Sequence, residues 1–279
     1  MNINEAYAQC KEIIDHHSKT FSRAFQHLPQ MKRKGVWAVY AFCRTADDIV
    51  DEGENAEKEL AFFREQLTRF KKGERPANTA LWIALEDTFT RFDFSFQPFF
   101  DMLDGQHMDL TKTRYHTIEE VFNYSYHVAG TVGLMLLPIL APGREKELYN
   151  SAVHLGYAMQ ITNILRDIGE DAGRGRIYIP EERMSKHGYS EEELQQGEVN
   201  QSFINLWEEM AQEAEQEYEK GLAYIENYPR NARIPVKAAA LFYREILQAV
   251  RKENYNVFQQ RVFVSVEEKQ QLFHSLIET

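Results

Sequence analysis

The chain has 279 residues, 43% hydrophobic and 13% aromatic, which is ample for a continuous core and unlike a disordered segment. Its formal net charge of −11, with no basic stripe to neutralise a phosphate backbone, argues against a nucleic-acid partner. Cys10 and Cys43, the only cysteines, have neither paired nor metal-ligand spacing and are expected to be reduced packing residues.

Read from the N-terminus, residues 1–6 lack a basic segment followed by an apolar one, so no secretory signal is predicted and a cytoplasmic location is expected. Apolar residues then recur at three- and four-residue intervals almost throughout, without Val/Ile alternation, which predicts an all-α chain. A first helical run, residues 35–43, leads directly into Asp47, Asp48 and Asp51. Thr117–Glu120, Ser190–Glu193 and Ser265–Glu268 have the spacing of capping boxes and mark helix starts. The most apolar stretch, residues 130–142, is too short to span a bilayer and contains Pro138, so it reads as a core helix. A second run, residues 154–165, leads into Asp167, Glu170 and Asp171. Breaks fall near Pro29, residues 73–76, 142–143 and 173–180, and Pro229. No repeat, low-complexity tract or long linker divides the chain, so residues 1–279 are expected to form one domain. The sequence assigns no oligomeric state.

The two acidic clusters are the informative feature. Residues three and four apart share a helix face, so Asp47, Asp48 and Asp51 are expected to converge, as are Asp167 and Asp171. Acidic runs are ordinarily solvated surface. Here, however, each follows an apolar helix, and carboxylates crowded on such a helix call for a cation that takes oxygen ligands, Mg²⁺ first among them. Two such helices facing one cavity would suit several Mg²⁺ ions holding a diphosphate. Arg44 and Arg166 precede Asp48 and Glu170 by four residues; each reads as an i,i+4 ion pair or a phosphate ligand, and spacing alone favours the pair. Residues 172–180, with two glycines, Arg174 and Arg176, read either as a solvated connector or as a flap that brings positive charge to a diphosphate.

Several of these fragments together resemble the squalene/phytoene synthase family in order and spacing: His17, Ser18, Lys19, Thr20 and Phe21; residues 40–51; Tyr124 with residues 128–133; residues 160–171; and Tyr243–Leu247, with Asn254, Tyr255 and residues 261–264. Within the family, the chain resembles the dehydrosqualene synthases of bacteria. The resemblance implies an isoprenoid-synthase helical bundle with a central cavity. It further implies that Asp47, Asp51, Asn163, Asp167 and Asp171 hold Mg²⁺, with Asp48 completing the first cluster. His17, Ser18, Lys19, Thr20, Tyr40, Arg44, Gln160, Arg166 and Tyr243 then contact prenyl diphosphates, and Tyr124 acts near the reacting carbons. Phe21 and Phe25 fall on the prenyl cavity, Phe25 at its far wall. Phe21, Phe25, Tyr40 and Phe42 are candidates for stabilising carbocations through their ring faces, although aromatic residues at helical spacing are ordinarily core. His16, His107, His127 and His154 form no ligand cluster.

The implied reaction is head-to-head condensation of two prenyl diphosphates through a cyclopropylcarbinyl diphosphate. The family pattern often has methionine after the glycine where this chain has Gln106. Polarity there raises an alternative, capture of the first carbocation by water and release of farnesol as a diphosphatase. A second alternative is a non-catalytic binding module of the same fold, which would have little reason to retain both acidic clusters. No Gly-x-Gly-x-x-Gly fingerprint is present, so NADPH is not expected, though squalene synthases bind it without that fold and it is not excluded. No C-terminal membrane helix is expected, while a substrate that partitions into lipid leaves peripheral membrane association open.

Overall fold

The computed structural model describes residues 1–278. Its helices run in the order α1 (Ile3–His17), α2 (Lys19–Phe25), α3 (Gln30–Glu52), α4 (Ala56–Lys71), α5 (Ala80–Arg91), α6 (Gln97–Thr111), α7 (Ile118–Ser125), α8 (Thr131–Leu140), α9 (Tyr149–Arg166), α10 (Ile168–Gly173), α11 (Glu181–His187), α12 (Glu191–Gln196), α13 (Gln201–Leu222), α14 (Arg230–Lys252) and α15 (Val266–Glu278). A π-helical turn over Tyr126–Gly130 links α7 to α8. Among the described residues the only strand-type pairing is an isolated bridge between Arg114 and Ile177. The all-α expectation therefore holds, and one contiguous apolar core runs through the described residues. Thr279 lies outside them.

Helix ends follow the local chemistry. Ser190 with Glu193 closes a capping box, and Ser265 with Glu268 makes both bonds of another. Asn2 and Glu5 form a further box. Thr117 is half of one: its hydroxyl accepts from Glu120 N–H, but the Glu120 carboxylate turns back to His116 N–H at 2.8 Å. Pro29 and Pro229 stand immediately before α3 and α14, where a residue without an N–H and with fixed φ ends any extension backwards.

α3 and α9 carry the site because each serves two environments. In α3, Val36, Val39, Cys43, Ala46 and Val50 are all buried at alternating spacings of three and four, a stripe that packs inward. Phe42, fully buried, meets Phe63 and Phe99 at ring separations of 5.1 Å; burying such a side chain contributes about 1.5–3 kcal/mol. α9 packs most extensively on α13 and also touches α8, α14 and the π turn. A Cβ at Gly156 would lie 2.5 Å from the Gly130 nitrogen, so α9 and the π turn meet backbone to backbone, an approach only glycine allows.

The C-terminal end of α9 is secured from α13. Trp207 Nε1 donates to Leu165 O at 3.1 Å, satisfying a carbonyl the helix itself leaves open. The Arg251 guanidinium lies 5.4 Å from the Trp207 ring and pairs with Glu208 at 2.8 Å and Glu215 at 3.0 Å. The hydrogen bonds from Arg251, aided by Tyr255 and opposed by partial burial, hold the Glu208 carboxyl below its ordinary range. A depressed carboxyl stabilises the fold above the unfolded-state pKa, and that contribution disappears as pH falls through the folded-state value. Glu208→Gln should therefore lower the melting temperature at pH 7 by about 3–6 °C, taking about 1–2 kcal/mol for charge-assisted bonds at a partly exposed site. The gap to wild type should close below about pH 4, as thermal melts across pH will show.

Candidate active site

A cavity of about 1010 Å³ lies between the helices. Asp47 and Asp51 reach it from α3, and Asn163, Asp167 and Asp171 from the end of α9 and from α10. The two acidic segments are physically linked: Arg174 and Arg176, which follow α10, donate to Asp51 at 3.0 Å each. The 172–180 segment thus behaves as a strap across the mouth. It is pinned at its far end by Ile177 N–H to Thr113 O at 3.0 Å and by Arg114 to Gly175 O at 2.8 Å.

Two expectations are corrected. Asp48 does not join Asp47 and Asp51; it pairs with Arg44, is 38% exposed, and is absent from the cavity wall. Successive helix residues point about 100° apart, so a stripe through Asp47 and Asp51 turns Asp48 away. Arg166 does not pair with Glu170 but with Asp167, at 2.8 and 2.5 Å. The cause is a break: α9 ends at Arg166, and Asp167, at φ −105° and ψ 15°, caps both α9 and α10. Glu170 instead meets Arg174 at 3.2 Å and Arg261 at 3.5 Å. The relation between Asp167 and Asp171 survives the break through Asp171 N–H to Asp167 O at 2.9 Å.

Asp51 and Asp167 are each held by two guanidinium groups, the latter by Arg166 and Arg261. Asp47 and Asp171 have no such partner among the described residues, and their carboxyls respond. Burial, reinforced by Asp51 and Asp109 against the pull of Arg44, pushes Asp47 up to about 7. Burial and the neighbouring Asp167 and Glu170 push Asp171 up to about 8. The donor set fits a hard divalent cation. It consists of carboxylates and one amide oxygen, the charge is in deficit there, and Asn163 Oδ1 is buried without a hydrogen bond. Among the described residues no three His, Cys, Asp or Glu side chains already converge as a closed ligand cage; open carboxylate sites of this kind suit Mg²⁺ shared with phosphate oxygens.

The remaining expected residues fall on the same wall. His17, Ser18, Lys19, Thr20, Arg44, Gln160, Arg166 and Tyr243 surround the polar end. Ser18 also caps α2, accepting from Phe21 N–H at 3.3 Å. Phe21 stacks on Phe25 at 5.7 Å, with the rings 7° from parallel, and lies 5.3 Å from Tyr243 and 6.5 Å from Tyr40. Phe42 is core only. Tyr124 donates to Asp109 Oδ2 and Tyr178 to Asp109 Oδ1, both at 2.8 Å, with the two tyrosine rings stacked 5.0 Å apart.

Gln106, Asp109, Tyr178 and Arg261 also line this cavity; the sequence flagged Gln106 only as a polar departure from the family pattern and gave Asp109, Tyr178 and Arg261 no site role. Met102, Gln106 and Asp109 share one face of α6 at spacings of four and three, which was the available signal. His154 is engaged elsewhere, with Glu217 at 2.5 Å.

The raised Asp171 carboxyl has a measurable consequence without metal. Its folded-state value lies above the unfolded one, so stability is fully present below about pH 4 and lost as pH rises toward about 8. In EDTA, Asp171→Asn should melt with a shallower decline than wild type between pH 4 and 8 and at a higher temperature at pH 8. A parallel decline in the two proteins would contradict the electrostatic account.

The squalene/phytoene synthase family model matches residues 14–268. The chain is 37% identical over 277 residues to 15-cis-phytoene synthase of Synechococcus elongatus, aligning 94% of this chain and 89% of that one. It is 38% identical over 271 residues to chloroplastic phytoene synthase 1 of Zea mays, covering 94% of this chain but only 65% of the maize protein's length. Among solved structures, a dehydrosqualene synthase in complex with ligand superposes with a TM-score of 0.95 at 39% identity, over 99% of this chain and 96% of the other. That match identifies the bundle as the isoprenoid-synthase fold. With the family model spanning nearly the whole chain and the acidic segments meeting across one cavity, the protein belongs to the squalene/phytoene synthase family, whose members are head-to-head prenyl diphosphate synthases.

Proposed function

We propose that the protein condenses two farnesyl diphosphates head-to-head, with Mg²⁺, to a dehydrosqualene- or squalene-type product. One observation carries this reading: a single cavity has a polar end where two acidic segments are bridged by arginines, and an apolar end walled by Phe21, Phe25, Leu136 and Val236. Such a cavity takes diphosphates at one end and hydrocarbon at the other.

Asp47, Asp51, Asn163, Asp167 and Asp171 would hold Mg²⁺, which supplies Lewis-acid stabilisation of the departing diphosphate. The protein's own cations complement it. Arg44, Arg166, Arg174, Arg176 and Lys19 lie at the polar end, and guanidinium groups freed from Asp51 and Asp167 have the bidentate geometry phosphate oxygens accept. Charge that grows on the leaving oxygens is stabilised there more than in the ground state, which is the condition for catalysis. The C1–O bond of one allylic diphosphate breaks, the C2–C3 double bond of the second attacks the resulting cation, and a proton leaves to close a cyclopropane. Loss of the second diphosphate opens a rearrangement that ends in proton loss, giving dehydrosqualene, or, where a nicotinamide such as NADPH donates a hydride, in squalene. Tyr40 and the stacked Phe21 and Phe25 rings line the path of these cations.

The stacked Phe21 and Phe25 rings on the apolar wall support the C15 substrate, since two phenyl rings there limit tail depth. The phytoene synthases among the relatives favour the C20 reading, in which the cavity deepens by side-chain movement at the Phe25 wall. Product analysis with farnesyl and geranylgeranyl diphosphates, each with and without NADPH, separates these readings and also reveals farnesol if water captures the cation.

Asp47→Ala and Asp167→Ala should each lower pyrophosphate release by about 10²-fold or more while the circular dichroism spectrum is retained; near wild-type release from either would refute the site assignment. In competition at equal concentrations, wild type should prefer farnesyl diphosphate. Phe25→Ala, which removes a ring only 5% exposed, should raise relative use of geranylgeranyl diphosphate. A stability loss of about 3–5 kcal/mol with unchanged preference would mark Phe25 as packing only.

A further inference from the structure

Asp47 is the one carboxylate of the α3 acidic group left without a guanidinium, and it has another partner. Gln106 Nε2, on α6, donates to Asp47 Oδ1 at 2.6 Å. Among the described residues this is the only hydrogen bond to the Asp47 carboxylate. Gln106 is 4% exposed, and its backbone is held in place by the residue before it: a Cβ at Gly105 would sit 2.7 Å from His127 Cβ, so α6 is locked against the π turn. The amide is thus delivered to Asp47 by a rigid helix.

We infer that Gln106 is a positioning residue for Asp47, fixing the carboxylate through Oδ1 and leaving Oδ2, which accepts no hydrogen bond among the described residues, for a divalent cation. This inference rests on the metal-binding reading of the site. The choice of donor matters. A guanidinium there, as on Asp51 and Asp167, would neutralise Asp47 and would have to be displaced before a cation could bind. A neutral amide orients the carboxylate without discharging it, in the way that outer partners orient metal-ligating groups. An apolar side chain would leave the carboxylate buried with no donor, a state that disfavours the ionised ligand. The same bond commits the Gln106 amide to Asp47 instead of to the prenyl path.

The test is a Mg²⁺ titration read by the rise in melting temperature in the presence of inorganic pyrophosphate, so that the readout is binding, not turnover. Gln106→Met fills the same volume without the donor. Gln106→Asn keeps the amide but falls short of Asp47 by one methylene, and decides the matter if the methionine variant does not fold. The Mg²⁺ concentration for half-maximal shift should rise about 10-fold or more in either variant, with the metal-free melting temperature within a few degrees of wild type. A midpoint within twofold of wild type in a folded variant overturns the positioning role. Absence of any Mg²⁺-dependent shift in the wild type overturns the metal reading itself, and the inference with it.

Discussion

Carboxylate crowding at the polar end of the cavity is the constraint on which the rest of the structure depends. Asp47, Asp51, Asp167, Glu170 and Asp171 come from two segments far apart in sequence, and like charges brought together in a partly buried space repel and resist ionisation. The protein answers in two ways. Asp51, Asp167 and Glu170 are matched with arginines from the strap, from α9 and from the C-terminal segment. Asp47 and Asp171 are left unmatched and are pushed toward the protonated form. The metal-free site is therefore incompletely compensated, with ligands available to a cation and arginines available to the anion that accompanies it.

Holding repelling groups in place requires a scaffold that does not yield. α3 supplies it by burying an apolar stripe on one side while presenting Asp47 and Asp51 to the cavity, and α9 by packing into the core and ending in the Asp167 cap. The anchor at the end of α9, where Trp207 satisfies Leu165 and is itself covered by Arg251, sits two residues before Asp167. The break at Asp167 then redirects the chain so that Asp171 stays over Asp167 while Glu170 faces Arg174 and Arg261. A continuous helix would have paired Arg166 with Glu170 and left Asp167 without its nearest cation.

The apolar end is ruled by packing instead of charge. Phe21 and Phe25 stack on one face of α2, and the π turn, pressed against α9 through Gly130 and Gly156, shapes the opposite wall near Val128 and Val132. π-helical turns favour functional sites because the widened turn displaces side chains from the regular register. The length of hydrocarbon that fits is a property of this wall, whereas the ionisation chemistry belongs wholly to the polar end.

Local rules determined the helices, because period, caps and proline breaks act within a few residues. They also made the acidic stripe visible: Asp47 and Asp51 share a face by helix geometry, and Asp167 and Asp171 keep that relation across the break at Asp167 through Asp171 N–H to Asp167 O. What they did not decide was which neighbour answers each charge. Arg44 meets Asp48, the pair that i,i+4 spacing favours, but Arg166, at the same spacing from Glu170, turns to Asp167 at the break instead. The partners of Asp51 are 123 and 125 residues away and that of Asp47 is 59 away, distances over which no local spacing operates. Those pairings exist because the strap folds back between Thr113 and Asp51, and because Gly105 lets α6 close on the π turn. They are consequences of how helices approach one another, and only the packed structure settles them.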